Sequence, residues 1–257
     1  MNIFKSKASR KEEAYNWLIE LDTHWSKEVS DAVSNTTFNK IDSVDKLNSI
    51  LKYNAKVKYN ETRTGIFNKD VVSCAIETAS QNKNSKVCVL NFASYYNPGG
   101  GFLNGSKAQE EAICSETGLY PCLDKFRKDY EERRLNNVDG LYTHDYIYSS
   151  NVPFIKDGKC YLVDVLTIAA PNKTATKSLS IERVFEERMH LVYKIPAMHN
   201  VDILLLGAWG CGVFGNDPNF VASTWKKLTE EYNGVYGMVI HPVLDRKMYS
   251  TFTNVYK

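Results

Sequence analysis

The sequence predicts an α/β fold, in which helices cover both faces of a sheet. Along most of the 257 residues, short apolar segments typical of strands alternate with segments of helical periodicity. The segment 202–206 is apolar after its first residue, as expected of a strand that is buried on both faces. Hydrophobic residues make up 43% of the chain and charged residues 24%, so a sizeable core can form without disulfides or metal ions.

The first 60 residues predict helices that precede the alternating pattern. Apolar residues spaced three and four apart predict a helix over 10–33, and a shorter helical segment follows at 43–51. The remainder of 35–65 is polar and mixed in composition. We therefore expect one domain, with residues 1–60 as a helical extension packed on a core that spans residues 61–257.

The core is predicted to alternate helices and strands. The boundaries follow from apolar periodicity, from β-branched runs, and from Pro and Gly at the ends of elements. In chain order, the predicted elements are a helix at 70–80, a strand at 86–92, helices at 108–119 and 121–136, strands at 142–149 and 161–170, a helix at 178–193, a strand at 202–206, a helix at 218–232, a strand at 236–241 and a short helix from 247.

Two glycine-rich loops follow predicted strands and precede predicted helices. The first glycine loop, 97–101, reads Asn-Pro-Gly-Gly-Gly, and the second, 207–216, contains four glycines. In open α/β sheets, ligands bind beyond the carboxyl ends of the strands, where bare backbone N–H groups attract anions. The second loop lacks the Gly-Lys-Ser/Thr of a P-loop. Two such loops favour a phosphorylated ligand over the alternative, in which the glycines only permit close packing.

A pair of adjacent carboxylates, Glu110 and Glu111, follows the first glycine loop at the predicted start of a helix. Carboxylates in this position either perform acid/base chemistry or are solvated groups that interact favourably with the helix dipole. Adjacent helical residues point about 100° apart. The two carboxylates therefore cannot do the same job.

The remaining composition excludes several classes of site. Six cysteines occur without a CxxC pair, and we expect buried, reduced thiols; Cys211, inside the second glycine loop, is the one candidate nucleophile. A net charge of +2 gives no strong case for nucleic acid, and no segment approaches the ~20 apolar residues that span a membrane. We expect no metal, no cofactor and a cytoplasmic, reducing location.

The two loops and the Gln109-Glu110-Glu111 motif resemble a known family. Asn91-Phe92-Ala93, the triple glycine at 99–101 and the QEE motif are similar to the signature of poly(ADP-ribose) glycohydrolases of the microbial type. The resemblance covers about residues 60–245 and implies a macrodomain fold, a mixed, mostly parallel sheet sandwiched between helices. It implies hydrolysis of ribose–ribose O-glycosidic bonds in poly(ADP-ribose) or on ADP-ribosylated proteins, with ADP-ribose as product ligand.

The resemblance also implies roles for individual residues. Glu111 would be the catalytic acid, Glu110 would hydrogen-bond ribose hydroxyls, and Gln109 would fix the loop. Phe214 would pack on the distal ribose, and Asp70 would contact the adenine amino group. The positions that the resemblance assigns to substrate contact through the glycine loops are Gly99, Gly100, Gly101, Gly210, Cys211, Gly212, Val213, Gly215 and Asn216. Either Ser94 or Asn97 would contact the distal ribose.

Two other functions use the same ligand. A macrodomain that binds ADP-ribose without cleaving it would have no use for a positioned acid, so the QEE motif argues against this alternative. A hydrolase that removes single ADP-ribose units from proteins, or that acts on another ADP-ribose derivative, would need the same loops, and the sequence does not separate it from a polymer hydrolase.

Overall fold

The computed structural model describes residues 5–136 and 138–257, and the first four residues of the predicted extension lie outside these ranges. Seven strands form one sheet in the order β1-β4-β5-β3-β6-β7-β2. The strands are β1 (Thr36–Asn39), β2 (Arg63–Phe67), β3 (Val87–Phe92), β4 (Tyr146–Lys156), β5 (Lys159–Ile168), β6 (Ile203–Leu205) and β7 (Met238–Pro242).

The sheet is mixed but mostly parallel. Strands β5, β3, β6, β7 and β2 are joined by parallel pairings, and only β4 runs against its neighbours. The segments that follow β3, β6, β7 and β2 therefore emerge at one edge, which we call the carboxyl edge; the opposite edge is the amino edge. Both glycine loops lie at the carboxyl edge, side by side, because β3 and β6 are neighbours.

Helices cover both faces of the sheet. They are α1 (Lys7–His24), α2 (Ser26–Ser34), α3 (Val44–Leu51), α4 (Val71–Gln81), α5 (Gln109–Cys114), α6 (Leu119–Asp124), α7 (Arg127–Leu135), α8 (Ile181–Met198), α9 (Pro218–Glu231) and α10 (Arg246–Val255). The apolar side chains of β3 divide between two buried clusters, one formed with α8 and α9 and the other with α4, α5 and α6. Alternation of side chains along a strand produces this division. The predicted α/β class is confirmed.

The N-terminal segment departs from prediction in two places. The single helix expected over 10–33 is wrong, since α1 and α2 meet at Trp25, whose backbone leaves the helical conformation at φ −130°. Strand β1 lies in the region expected to be irregular, and it pairs antiparallel with β4. Residues 1–60 thus contribute an edge strand as well as helices. Helix α1 is also tied to the core, because Trp17 Nε1 donates to the Thr117 carbonyl at 3.0 Å.

Two boundaries near the first glycine loop also differ. Helix α5 ends at Cys114, earlier than the predicted 119, since the Thr117 hydroxyl donates to the Ile113 carbonyl and turns the chain toward α6. Strand β4 begins at Tyr146, later than predicted, and continues to Lys156 through a bulge between Ser149 and Val152. The short α5 presents its first turn to the carboxyl edge.

Candidate active site

The first glycine loop turns tightly at the end of β3 and lies against both carboxylates of the QEE motif. Gly99 and Gly100 adopt φ of +66° and +60°, the left-handed region that favours glycine. A Cβ on Gly100 would lie 2.6 Å from Glu111 Oε1 and 3.0 Å from Glu110 Oε2. Glycine at position 100 is therefore required by its backbone and by its contact with both carboxylates.

Glu110 is buried below the loop and held by amide N–H groups. It is 2% exposed, its Oε2 accepts from the Ser94 backbone N–H at 2.7 Å, and its Oε1 accepts from Asn91 Nδ2 at 3.1 Å. Burial raises the pKa of Glu110 to about 8, opposed by the two N–H donors and reinforced by the charge of Glu111. No cation lies in its hydrogen-bonding shell among the described residues.

Glu111 is oriented by the loop itself. Its Oε1 accepts from the Gly101 backbone N–H at 2.8 Å. Its Oε2 is buried and has no hydrogen-bond partner among the described residues. One oxygen is thus fixed by the protein beside the bare backbone of Gly100, while the other has its hydrogen-bonding capacity free.

Gln109 joins the QEE motif to β3. Its Nε2 donates to the Leu90 carbonyl at 2.8 Å, and its Oε1 accepts from the Phe92 N–H at 2.8 Å. These two hydrogen bonds replace those that a neighbouring strand would make with the end of β3, where β3 no longer pairs with β6. The side chain therefore fixes the start of α5 relative to the sheet.

The second glycine loop offers backbone N–H groups at the neighbouring strand end. Gly210 and Gly215 adopt φ of +72° and +68°, and Asn216 Nδ2 braces the loop by donating to the Gly210 carbonyl at 3.1 Å. The N–H groups of 212–214 form no hydrogen bond with the described residues. Consecutive free N–H groups form an anion-binding concavity.

Comparison with known proteins places this geometry in a family. Residues 11–157, more than half of the chain, match the family model of the microbial-type PARG catalytic domain, where PARG denotes poly(ADP-ribose) glycohydrolase. The chain belongs to the microbial-type PARG family. It is therefore an enzyme, a glycosidase that acts on poly(ADP-ribose), and the predicted family and macrodomain-like fold are confirmed. Comparison with curated protein sequences gives no match.

Solved PARG structures from two bacteria are similar to the chain over almost their whole length. The enzyme from Thermomonospora curvata is 30% identical, with 96% of this chain and 99% of that chain covered and a TM-score of 0.87. The same enzyme bound to the inhibitor ADP-HPD is also 30% identical over the same shares of both chains, with a TM-score of 0.84. The Deinococcus radiodurans enzyme in complex with ADP-ribose is 30% identical over 89% of this chain and 97% of that chain, with a TM-score of 0.78.

The other predicted PARG site residues lie at the carboxyl edge in different settings. Ser94 Oγ accepts from the Asn97 backbone N–H at 3.2 Å, and Asn97 Oδ1 accepts from Arg134 Nη1 at 3.0 Å. Asp70 caps α4, where its carboxylate accepts from the Ser73 N–H at 2.8 Å. Because Asp70 follows β2, it stands farther along the carboxyl edge than either glycine loop.

The side chain of Cys211 is buried in the second glycine loop, although its backbone belongs to the predicted phosphate-binding segment. Its thiol donates to the Trp209 carbonyl at 3.6 Å, and burial raises its pKa to about 12. Nucleophilic chemistry needs the thiolate. The arrangement does not support Cys211 as a nucleophile.

Sequence reasoning missed four residues that shape this PARG site. Asn91 and Thr167 lie inside apolar strands, and Asn91 Nδ2 bridges Glu110 and Thr167 Oγ1. Tyr142 has a φ of +56°, stacks on Tyr95 with ring centroids 4.4 Å apart, and approaches Phe214 at 6.0 Å. The fourth residue is Arg188, in α8. Of these four, only Asn91 gave a signal in the sequence, since it belongs to the family signature, although no role was assigned to it there.

Two further classes of feature are absent from residues 5–136 and 138–257. No group of three or more His, Cys, Asp or Glu side chains in these ranges is arranged to hold a metal ion. None of the helices in these ranges has the length and apolar character needed to cross a bilayer.

Proposed function

We propose that this enzyme hydrolyses the ribose–ribose O-glycosidic bond of poly(ADP-ribose), with Glu111 as general acid and then general base, and releases ADP-ribose. The observation that carries the proposal is the asymmetry of the Glu111 carboxylate. Its Oε1 is fixed by the Gly101 N–H, whereas its buried Oε2 has no partner among the described residues. That oxygen is the one available to the leaving oxygen of the substrate.

The proposed chemistry proceeds through an oxocarbenium-like transition state. Glu111 Oε2 first donates a proton to the leaving ribose oxygen, and the glycosidic C–O bond breaks. The resulting carboxylate then removes a proton from the water that attacks the anomeric carbon. The products are ADP-ribose and a polymer shortened by one unit, and Glu111 ends in its initial protonated state.

Glycosidases commonly divide this work between two carboxylates. Here the second carboxylate, Glu110, is buried and fixed by the N–H groups of Ser94 and Asn91, so we do not assign it the attacking water. Its proposed role is to bind ribose hydroxyls. The negative diphosphate, bound by the N–H groups of 212–214, stabilises the positive charge that develops on the ribose.

The order of strands supports an extended ligand along the carboxyl edge. The distal ribose lies at the loop after β3, between Glu111 and Phe214, and the diphosphate lies at the loop after β6. The adenine then extends toward Asp70, which follows β2, two strands beyond β6. Of the two candidates for a ribose contact, Ser94 is nearer to the catalytic pair, because its own N–H binds Glu110.

A substrate panel tests this function. The wild-type enzyme is incubated with purified poly(ADP-ribose) and, separately, with a mono-ADP-ribosylated protein, and released ADP-ribose is quantified by chromatography. Calorimetry with ADP-ribose measures binding independently of cleavage. We expect ADP-ribose to bind and to be released from the polymer.

The other outcomes identify the alternative functions. Binding without release from either substrate would indicate a non-catalytic ADP-ribose-binding module. Release from the modified protein alone would indicate a mono-ADP-ribose hydrolase. Absence of both binding and release would contradict the proposed ligand.

A further inference from the structure

Arg188 is a charged side chain buried completely in α8, beneath the carboxyl edge of the sheet. Its exposed fraction is 0%. It forms no salt bridge with the described residues, and the adjacent Glu187 pairs instead with Arg183 at 2.6 Å. A buried cation without an ion pair is costly for a folded protein. Its position therefore calls for a functional explanation.

Neutral acceptors surround the guanidinium. Nη1 donates to the Ala169 carbonyl at 2.8 Å, and Nη2 donates to the carbonyls of Leu141 and Tyr142 at 2.9 and 3.3 Å. Nε faces His144 Nδ1 at 3.3 Å. Every one of these partners is a carbonyl or an imidazole, and none carries a negative charge.

The surroundings keep the charge on the arginine. Burial, together with the positive charges of Arg188 and Arg183, lowers the pKa of His144 to about 4, so the imidazole is neutral and able to accept. Burial also lowers the pKa of Arg188 to about 10, which still leaves the guanidinium protonated at neutral pH. The nearby charges of Asp145 and Glu187 act to raise the pKa of Arg188, but neither carboxylate forms an ion pair with it among the described residues. The positive charge is thus fixed in place by uncharged hydrogen-bond acceptors.

One short segment separates Arg188 from the second glycine loop. Ala169, the acceptor of Nη1, is followed by Ala170 and Pro171, and the Pro171 carbonyl accepts from Asn216 Nδ2 at 2.8 Å. Gly210 packs so closely on this segment that an added Cβ would lie 2.7 Å from the Ala170 Cβ. The segment 169–171 therefore contacts both the guanidinium and the loop proposed to bind the diphosphate.

On its other side, Arg188 supports the aromatic wall of the site. The carbonyl of Tyr142 accepts from Nη2, and this residue holds a left-handed conformation that a residue other than glycine seldom adopts. The Tyr142 ring contacts Phe214, the residue proposed to pack on the distal ribose. The buried side chain of Arg188 thus contacts both the segment that packs on the second glycine loop and the residue whose ring contacts Phe214.

We propose that Arg188 is a specificity-determining and positioning residue, whose buried positive charge is compensated by the diphosphate of bound ADP-ribose. This inference rests on the proposed function, since it assumes that the second glycine loop binds a diphosphate. Charges separated by several ångströms interact strongly in a protein interior, where screening by solvent and salt is weak. Because the guanidinium is already held in place, it needs no reorganisation when the ligand binds.

The test compares ligands with and without phosphate in matched variants. Calorimetry measures the affinity for ADP-ribose and for adenosine in wild type, Arg188→Met, Arg188→Lys and the control Arg183→Met. The control residue lies on the same helix, and its side chain is 67% exposed. We expect Arg188→Met to weaken ADP-ribose binding by about 10- to 100-fold, with adenosine affinity within about twofold of wild type. Arg188→Lys should lose less, and Arg183→Met should bind both ligands like wild type.

Two results would overturn the inference. One is an Arg188→Met enzyme that binds ADP-ribose as tightly as wild type. The other is an equal loss of affinity for both ligands, which would indicate a purely structural residue. If the wild-type enzyme fails to bind ADP-ribose, that result contradicts the proposed function on which the inference rests.

A measurement on the wild-type protein tests the inference even if the Arg188 variants do not fold. A buried guanidinium exchanges its protons slowly, so the Nε–H group of Arg188 is observable by nitrogen-15 NMR. We expect this resonance to shift on addition of ADP-ribose and to stay in place on addition of adenosine. A resonance that ADP-ribose leaves unmoved would contradict a charge interaction with the diphosphate.

Discussion

The two edges of the sheet shift the pKa of a carboxylate in opposite directions. At the carboxyl edge, Glu110 is 2% exposed and accepts only from amide N–H groups, and burial raises its pKa to about 8. At the amino edge, Asp202 accepts from Lys58 Nζ at 2.8 Å and from the Tyr59 hydroxyl at 2.7 Å. Although burial acts to raise the pKa of Asp202, the hydrogen bond from Lys58 and the other donors lower it.

This difference separates a site built for chemistry from one built for stability. The amino edge gives its carboxylate a cation and a hydroxyl, so its hydrogen-bonding groups are satisfied. The carboxyl edge holds three side chains whose hydrogen bonds with the described residues are all to uncharged groups, namely Glu110, Glu111 and Arg188. Burying these groups without charged partners costs folding free energy, and a ligand that completes their interactions gains binding free energy in return. Changes at the carboxyl edge should therefore affect activity, and changes at the amino edge should affect stability.

Apart from replacement of the catalytic acid itself, the largest effect is expected from Gly100→Ala. The new Cβ would meet Glu111 Oε1 at 2.6 Å and would force a left-handed backbone on alanine. Displacement of the acid by even about 1 Å should lower hydrolysis of poly(ADP-ribose) by roughly 100-fold or more. Steady-state release of ADP-ribose measures the change.

Gly158→Ala is the matched control for that variant. Gly158 also has a positive φ, +68°, but its added Cβ would have nothing within 4 Å. We expect a loss of about 1 kcal/mol in the free energy of unfolding and unchanged turnover. Equal losses of activity in the two variants would show that backbone strain alone, and not contact with Glu111, explains the effect.

The next effect concerns the pH dependence of stability. The folded state holds a proton on Glu110 up to about pH 8, whereas the unfolded chain releases it near the ordinary value of 4.5. Between these limits the folded state binds more protons, so this residue makes the free energy of unfolding fall as pH rises, by up to about 1.4 kcal/mol per pH unit. Urea unfolding at several pH values should show a smaller decline in Glu110→Gln.

Glu132→Gln serves as the control in the same titration, since this glutamate is exposed on α7. Its unfolding curves should follow those of wild type at every pH. If Glu110→Gln also follows wild type between pH 5 and 8, Glu110 is not the group that holds the proton.

A smaller effect, on stability alone, is expected at the amino edge. Asp202→Asn removes the charge that pairs with Lys58 while it keeps a similar shape. We expect a loss of about 1–2 kcal/mol in the free energy of unfolding and no change in turnover below the transition temperature. A drop in turnover with unchanged stability would contradict the conclusion that the amino edge serves stability and the carboxyl edge serves activity.

The smallest effect is expected from Cys211→Ala. The thiol is buried and protonated, with a pKa of about 12, and it contacts no residue of the catalytic pair. Turnover should stay within about twofold of wild type, and iodoacetamide should leave the wild-type thiol unmodified at neutral pH. Loss of activity in the variant or on alkylation would restore Cys211 as a candidate nucleophile.

The sequence predicted most of the carboxyl edge because its determinants are local. Triple glycine, the QEE motif and the second glycine loop are contiguous, and the apolar strands before them define the edge at which they lie. The amino edge was not predicted, since Lys58 and Asp202 are 144 positions apart and meet only after the sheet has formed. Strands β1 and β2 were missed because they are short and lack clear alternation, and their pairing depends on β4 and β7.

Arg188 shows a further limit of sequence reasoning. It lies in a charged stretch of α8, Glu186-Glu187-Arg188, where periodicity does not distinguish an exposed arginine from a buried one. Its burial results from the loops at 141–142 and 169, whose carbonyls it satisfies. Asn91 belongs to the family signature in the sequence, but its contact with Glu110 was not predicted, because only the fold brings the two side chains together.

The most direct test of the division between the two glutamates is the Glu111→Gln variant. Its hydrolysis of poly(ADP-ribose) and its affinity for ADP-ribose are measured beside wild type and Glu116→Gln, a variant of an exposed glutamate just beyond the end of α5. We predict that Glu111→Gln loses hydrolysis by about 100- to 10,000-fold, while ADP-ribose binding stays within about threefold and Glu116→Gln behaves like wild type. A Glu111→Gln enzyme that still hydrolyses the polymer at the wild-type rate would contradict Glu111 as the catalytic acid.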